Sequence, residues 1–233
     1  SNVFGFIAPV EDIFALAKKY EAITLVDMAQ TAGLVDLNVG LTTIDFAVFA
    51  GHKTLYGPTG ISGFVMNPSV KFPAVIFGGT GYESANQDMP EDLPQKYEMG
   101  TLNIAGIAGL NAALGWSAQV TIDAIREKEA ENRKKLIDLL DRYSYIKIIG
   151  NYDSCNYVGI VSCIIEEISS DSAGPVFDRC GIAVRTGLQC APLAHQFMGT
   201  FPAGTIRFSV NYFTTDKDFA ELEEALDYID SEL

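Results

Sequence analysis

LVDMAQTAGLVDLNVGLTTIDFAVFAGHKTLYGPTGISG, residues 25–63, decides how this chain is read. Ile23 to Val26 is a short apolar run, and Asp27 stands at its end. Phe46 to Phe49 is a second, opening directly into Ala50-Gly51-His52-Lys53. Runs this short, bounded by polar and glycine residues, suit buried strands. In an α/β sheet, ligands bind outside the carboxyl ends of the strands. Two such strands are therefore expected to deliver an acid, Asp27, and an amine, Lys53, to one rim.

Outward from that stretch, helix and strand alternate. Pro9 to Tyr20 reads as a helix, with Pro9 in the first turn, Glu11 and Asp12 at the positive end, and Lys18 and Lys19 at the other. Ile13, Leu16, Ala17 and Tyr20 fall on one face at i, i+3, i+4, i+7. After Lys53, Leu55 to Gly60 is a Gly-Pro loop and Ile61 to Met66 a further strand. The expected fold class is α/β, with a partial parallel-type sheet in residues 1–118 and a smaller C-terminal α+β domain in 119–233.

A lysine amine can form a Schiff base with a carbonyl cofactor. Pyridoxal 5'-phosphate (PLP) pairs that lysine with an Asp that keeps its ring nitrogen protonated. VDMAQ followed by FAGHKTLYGPTG resembles the PLP-dependent class V aminotransferase group, and within it the cysteine desulfurases and selenocysteine lyases. The resemblance implies PLP-dependent transferase fold type I. It also implies a Schiff base on Lys53, Asp27 on the pyridine nitrogen, Gln30 on the ring hydroxyl and His52 on the phosphate. Ala50 stands where many desulfurases have Ser, which implies one phosphate hydrogen bond fewer.

Ser1-Asn2-Val3-Phe4-Gly5 is similar to the family's SNV-x-G segment, which implies that Asn2 lies near the cofactor ring. The resemblance runs from there to the C-terminus, roughly the last three-fifths of such an enzyme. In relatives the remaining part supplies a phosphate-binding turn, a ring-stacking aromatic or His, and several strands of the main sheet. Residues 78–103 lack clear periodicity, and a loop of that length is usually functional or mobile. Its end, YEMGTLN, resembles the family's [FY]-E-x-G-T-x-N segment. There the Thr reaches the PLP phosphate of the neighbouring subunit, so Thr101 implies a homodimer with shared sites. A local reading also stands: Thr101 as the cap of a helix starting near Ile104.

Ile104 to Trp116 and Ile122 to Leu140 read as helices leading into the second domain, the latter with mixed charges suited to a solvated face. Val158 to Ile165, Ile182 to Arg185 and Thr205 to Ser209 are expected strands. Ser172 to Cys180 reads as a helix ended by Gly181, and Asp216 opens a terminal helix. Here lies GIAVRTGLQCAPLAH, which resembles the R-x-G-x-x-C active-site loop of one desulfurase subgroup. On that match Cys190 takes sulfur or selenium as a persulfide and leaves alanine. Arg207 clamps the substrate carboxylate, and Arg185 lies five residues before the cysteine. A planar guanidinium suits bidentate carboxylate binding, and cationic neighbours favour a thiolate. The Gly-rich loop and the polar Gln189, where some relatives carry His, argue that Cys190 is exposed. Cys155, Cys163 and Cys180 read as small buried hydrophobes. His195 stands either as an acid or base behind the cysteine or as a loop histidine.

Composition bounds the remaining classes. Sixteen basic against 30 acidic residues give a net charge of −14, which argues against a nucleic-acid or membrane-surface binder. Half of that charge lies in residues 216–232, where eight acidic residues outnumber Lys217. No apolar run approaches a membrane span and no leader is evident. Four cysteines without CxxC spacing suggest neither a metal site nor a disulfide framework, so a cytoplasmic protein with reduced thiols is the expectation. The implied function is a PLP-dependent desulfurase or lyase acting on cysteine or selenocysteine in sulfur metabolism, with a sulfur-acceptor protein as partner. Two alternatives stay open: another class V reaction such as transamination, and a half-fold without catalysis.

Overall fold

Residues 1–232, which this computed structural model describes, fold into helices and strands. In order they are α1 (Val10–Lys18), β1 (Leu25–Asp27), β2 (Phe46–Ala50), β3 (Ser62–Met66), α2 (Ile104–Val120), α3 (Ile122–Leu140), β4 (Ile146–Ile149), β5 (Ile160–Ile165), α4 (Ser170–Arg179), β6 (Arg185–Gly187), α5 (Pro192–Phe197), β7 (Thr205–Ser209) and α6 (Asp216–Glu232). Residues 10–119 form one unit, and residues 1–9 join 120–232 in the other.

The first unit is built on a sheet of order β1-β2-β3. β1 and β2 run parallel, with Asp27 opposite Val48, while β3 returns antiparallel, with Ser62 opposite Ala50. Its core joins Phe14 of α1 to Val26, Met28, Ile44, Ala47 and Leu55. The sequence pattern marks α1 but picks the wrong face. Ile13, Leu16 and Tyr20 are exposed, and Phe14 is the buried residue. Val10, Phe14 and Ala17 also recur at helical spacing, and the larger aromatic ring takes the core. Residues 78–103 are folded back rather than free. The Tyr97 hydroxyl donates to the Phe72 carbonyl at 2.7 Å, its ring meets Phe64 edge-on, and Gly100 N donates to Gly79 O at 2.7 Å.

Asp45, buried just ahead of β2, ties this unit together. Its carboxylate pairs with Lys18 at the end of α1 and accepts from the Thr24 N–H at 2.8 Å. Burial pushes its pKa up, but Lys18 and Thr24 outweigh that and hold it below the ordinary carboxylate value. A depressed carboxylate stabilises the fold at neutral pH, and that contribution is lost as pH falls through the folded-state value. Asp45→Asn is therefore expected to cost about 1–2 kcal/mol at pH 7. In thermal melts, the gap between the two proteins should close in acid. A gap independent of pH would contradict the ion pair's role.

The second unit is an antiparallel sheet of order β4-β5-β7-β6. β5 is buried along almost its whole length because both faces are covered. Val161, Cys163 and Ile165 pack with α3, α4 and α6, including Leu136, Phe177 and Leu226. Residues of opposite parity meet other partners. Ile164 packs with Val3, Phe4, Ala194 and Met198, and the Ser162 hydroxyl donates to Val3 O at 2.6 Å. Residues 1–6 and α5 thus cover the face away from the helices. On β7, Ile206 and Phe208 point to the helices, so Arg207 points to that second face. β4 and α5 were not anticipated, and β6 begins at Arg185 rather than ending there.

Candidate functional site

Asp27 closes β1, and Lys53 lies three residues beyond the end of β2. Because these strands are parallel neighbours, both residues leave the sheet at one rim. Asp27 is held by its own turn, with Oδ1 accepting from Ala29 N at 2.8 Å. Met28 N donates to Val48 O at 2.8 Å, carrying the β1–β2 pairing one residue past Asp27. Gln30 follows in that turn, half-buried. The loop bearing His52 and Lys53 is pinned at its root. Gly51 N donates to Ile61 O at 2.9 Å and Gly57 N to Gly51 O at 2.7 Å. A Cβ on Gly57 would meet Gly51 O at 2.8 Å, so the closure requires glycine there. His52 and Lys53 are exposed, and neither forms a salt bridge among the described residues. Thr101 is also exposed. It does not cap α2; Asn103 does, with Oδ1 accepting from Gly106 N at 2.9 Å and Nδ2 donating to Gly60 O at 3.0 Å.

The second unit gathers Asn2, Arg185, Cys190 and Arg207. Arg185 and Arg207 face each other across β6 and β7, and like charges directly opposite repel. Arg207 Nη1 donates to Asn2 O at 2.6 Å, while its Nε is buried without a partner among the described residues. Burial lowers the Arg207 pKa, Arg185 lowers it further, and the nearby Cys190 opposes both. Asn2 Nδ2 donates to the Gln189 carbonyl at 2.8 Å, which ties the chain's first residues to the cysteine loop. Two guanidiniums therefore share one face of the sheet with an exposed thiol close to Arg207, which is a setting for an anionic ligand and a nucleophile.

Cys190 is exposed, as the polar Gln189 beside it suggested, whereas Gln189 itself is buried. Its amide is fully engaged inside the loop, an arrangement that polarity alone does not reveal. His195 is fully buried too, with both ring nitrogens in hydrogen bonds. Burial pushes its pKa down, which keeps the ring neutral. Of the other cysteines, Cys163 lies in the core, its thiol pushed up to about 12 by burial, but Cys155 and Cys180 are only half-buried. Among the described residues no cluster of His, Cys, Asp or Glu is placed to hold a metal. No helix is long and apolar enough to cross a membrane.

Known proteins share both sequence and fold with this chain. A protein of Methanothermobacter thermautotrophicus described as a probable cysteine desulfurase is 32% identical over 98% of the chain and 58% of its own length. One from Halalkalibacterium halodurans is 34% identical over 97% of the chain and 55% of its own length. The chain thus spans little more than half the length of these relatives. The cysteine desulfurase of Thermococcus onnurineus superposes with a TM-score of 0.85 at 26% identity, over the whole chain and 58% of that protein. The Escherichia coli cysteine desulfurase CsdA gives 0.84 at 26% identity, with the same coverage. The fold is that of the PLP-dependent fold type I enzymes, in part. The family profile described as aminotransferase class-V matches residues 1–222, and the chain belongs to that family.

Proposed function

We propose that this chain carries the lysine, nucleophile and arginines of a PLP-dependent cysteine desulfurase or selenocysteine lyase. The observation that carries the reading is the exposed Cys190 beside the facing Arg185–Arg207 pair. Asp27 and Lys53 serve every class V reaction, whereas transamination has no use for a thiol at the site. We assign residues 1–118 to part of the PLP-binding large domain and 119–233 to the small one.

The residues of the first unit fit PLP. One oxygen of Asp27 is satisfied by Ala29 N, and no protein donor reaches the other among the described residues, so it is available to a pyridinium N–H. Gln30 supplies an amide for the ring hydroxyl, His52 a donor for the phosphate, and Lys53 the amine. By the family resemblance Asn2, from the second unit, would serve the ring as well, and Thr101 would reach the phosphate from a second copy. When bound, PLP supplies an electron sink for negative charge at the substrate's Cα.

The protein's part in the reaction is then to bind, orient and move protons. Arg207, supported by Arg185, holds the substrate carboxylate through paired N–H donors. Lys53 takes the Cα proton. The Cys190 thiolate attacks the substrate's sulfur, forming an S–S bond as the Cβ–S bond breaks. The bonding pair stays with the carbon fragment, which takes up a proton at Cβ, regains the Cα proton from Lys53 and leaves as alanine. Sulfur remains on Cys190 as a persulfide, for a reductant or a sulfur-acceptor protein to remove. The four free cysteines suit a cytoplasmic setting that keeps thiols reduced.

The test of this reading is sulfide and alanine release from cysteine in the presence of PLP. Arg207→Ala is expected to raise KM for cysteine by about 10²-fold with a smaller change in kcat, because it removes substrate binding rather than the nucleophile. An unchanged KM would remove Arg207 from the substrate site. The sharing of sites through Thr101 predicts a homodimer by sedimentation, and a stable monomer with full PLP occupancy would contradict it.

A further inference from the structure

The connection between β6 and β7 carries Cys190, and it holds two consecutive non-glycine residues in the left-handed region. Gln189 has φ 42° and Cys190 has φ 61°. Residues with a Cβ adopt that region rarely, and keep it only where their surroundings over-determine it. At the root of the connection Gly204 lies so close to Gly187 that a Cβ on Gly204 would meet Gly187 O at 2.1 Å. Within the loop, the surroundings are organised by one amide.

Gln189 Nε2 donates to Arg185 O at 3.3 Å and to Thr205 O at 3.0 Å, the first residues of β6 and β7. Its Oε1 accepts from the Thr205 hydroxyl at 3.3 Å and faces His195 Nε2 at 3.0 Å. Carbonyl oxygens only accept, so the amide nitrogen must lie towards Arg185 and Thr205, and the oxygen towards His195. That orientation settles the imidazole in turn. Nε2 carries the proton it donates to Oε1, and Nδ1 of the neutral ring accepts from the Thr200 hydroxyl at 2.7 Å. The ring is fully buried, and the edge of the network is closed by Phe4, whose ring lies 5.7 Å from that of His195.

We propose that Gln189 is the positioning residue of the Cys190 loop: its buried amide, oriented by His195, locks the left-handed turn that fixes the thiol beside Arg207 and Arg185. This rests on the reading of Cys190 as the reacting thiol. Neither side chain touches the reacting atoms. Their effect passes through the main chain of residues 189 and 190, and Asn2 adds to it by donating to the Gln189 carbonyl. The role requires an amide. A carboxylate at 189 would set an anionic oxygen against two carbonyl oxygens. Only its protonated form could donate where Nε2 does.

The test is the alkylation of Cys190 by iodoacetate and by iodoacetamide at low ionic strength, followed by mass spectrometry of the Cys190 peptide. The ratio of the two rates reads the positive charge around the thiol and cancels the thiolate fraction. In the native protein the ratio should exceed that of N-acetylcysteine several-fold, because the guanidiniums favour the anionic reagent. Gln189→Met, close in size but without the hydrogen bonds, should bring it down to the free-thiol value. Gln189→Glu should lose the preference at alkaline pH and regain it in acid as the carboxyl protonates. Circular dichroism and melting check that each variant is folded. Should Gln189→Met fail to fold, the pH dependence of Gln189→Glu decides alone. A folded Gln189→Met with the native ratio, or a Gln189→Glu ratio that does not change with pH, would overturn the proposal. Alkylation needs neither cofactor nor substrate, so its outcome stands apart from that of the desulfurase reading, which is judged by sulfide and alanine.

Discussion

Cys190→Ser is expected to lower sulfide and alanine formation from cysteine by about 10³-fold or more, the scale on which loss of a nucleophile acts. A hydroxyl is a far poorer acceptor of sulfur than a thiolate. The substitution changes one atom on an exposed loop residue, so stability should barely move. PLP binding should be untouched as well, since Asp27 and Lys53 lie in the other unit. That separation makes the prediction specific: chemistry is lost while fold and cofactor remain. With selenocysteine the loss should be smaller, because the weaker carbon–selenium bond needs less assistance. Full cysteine desulfuration by the Ser variant would remove the persulfide and favour a different class V reaction.

Lys53→Ala has the other large effect. The visible absorption band of protein-bound PLP should disappear, and turnover should fall by at least about 10²–10⁴-fold from the loss of proton transfer alone. Asp27→Asn separates the two roles assigned to the rim. It should retain the band but lower the rate, because an amide cannot hold the ring nitrogen protonated as a carboxylate does. Lys53 lies on a loop pinned by Gly51, Gly57 and Ile61 main-chain contacts that its side chain does not enter. Its removal should therefore leave the melting temperature close to native. An unchanged absorption spectrum in Lys53→Ala would take this lysine out of the mechanism.

The first unit was legible because its signals are local. Short apolar runs ending in Asp27 and in Ala50-Gly51-His52-Lys53 name both the strands and the rim. Their parallel pairing is made without a helix between them, because residues 28–45 return the chain through turns and coil. What the pattern could not rank was the two apolar stripes of α1, since Ile13, Leu16 and Tyr20 score as well as Val10 and Phe14. The cap of α2 is ambiguous in the sequence for a similar reason. Thr101 and Asn103 are both good caps, and only the reach of Asn103 to Gly60 and Gly106 separates them.

The second unit was less legible because its site is made by contacts distant in sequence. Arg185 and Arg207 were found by resemblance, but their cross-strand pairing depends on where β6 starts. The sequence pattern ends that strand at Arg185, yet the strand begins there. The polarity of Gln189 points to an exposed Cys190, as found, but Gln189 itself is buried. It is buried because two strand-end carbonyls, a threonine and a histidine meet its four hydrogen-bonding positions. No spacing rule joins Gln189, His195, Thr200 and Thr205. The one hint was a polar residue before the cysteine and a histidine five residues after it, in α5.

A persulfide on Cys190 can be measured directly. The protein is incubated with PLP and cysteine, quenched by alkylation and digested, and its cysteine peptides are weighed. The Cys190 peptide is expected to gain one sulfur atom that a thiol reductant removes. The gain should be absent in Lys53→Ala, and the Cys155, Cys163 and Cys180 peptides should be unchanged. Sulfide release with no sulfur on Cys190, or with the added sulfur on one of the other three cysteines, would contradict it.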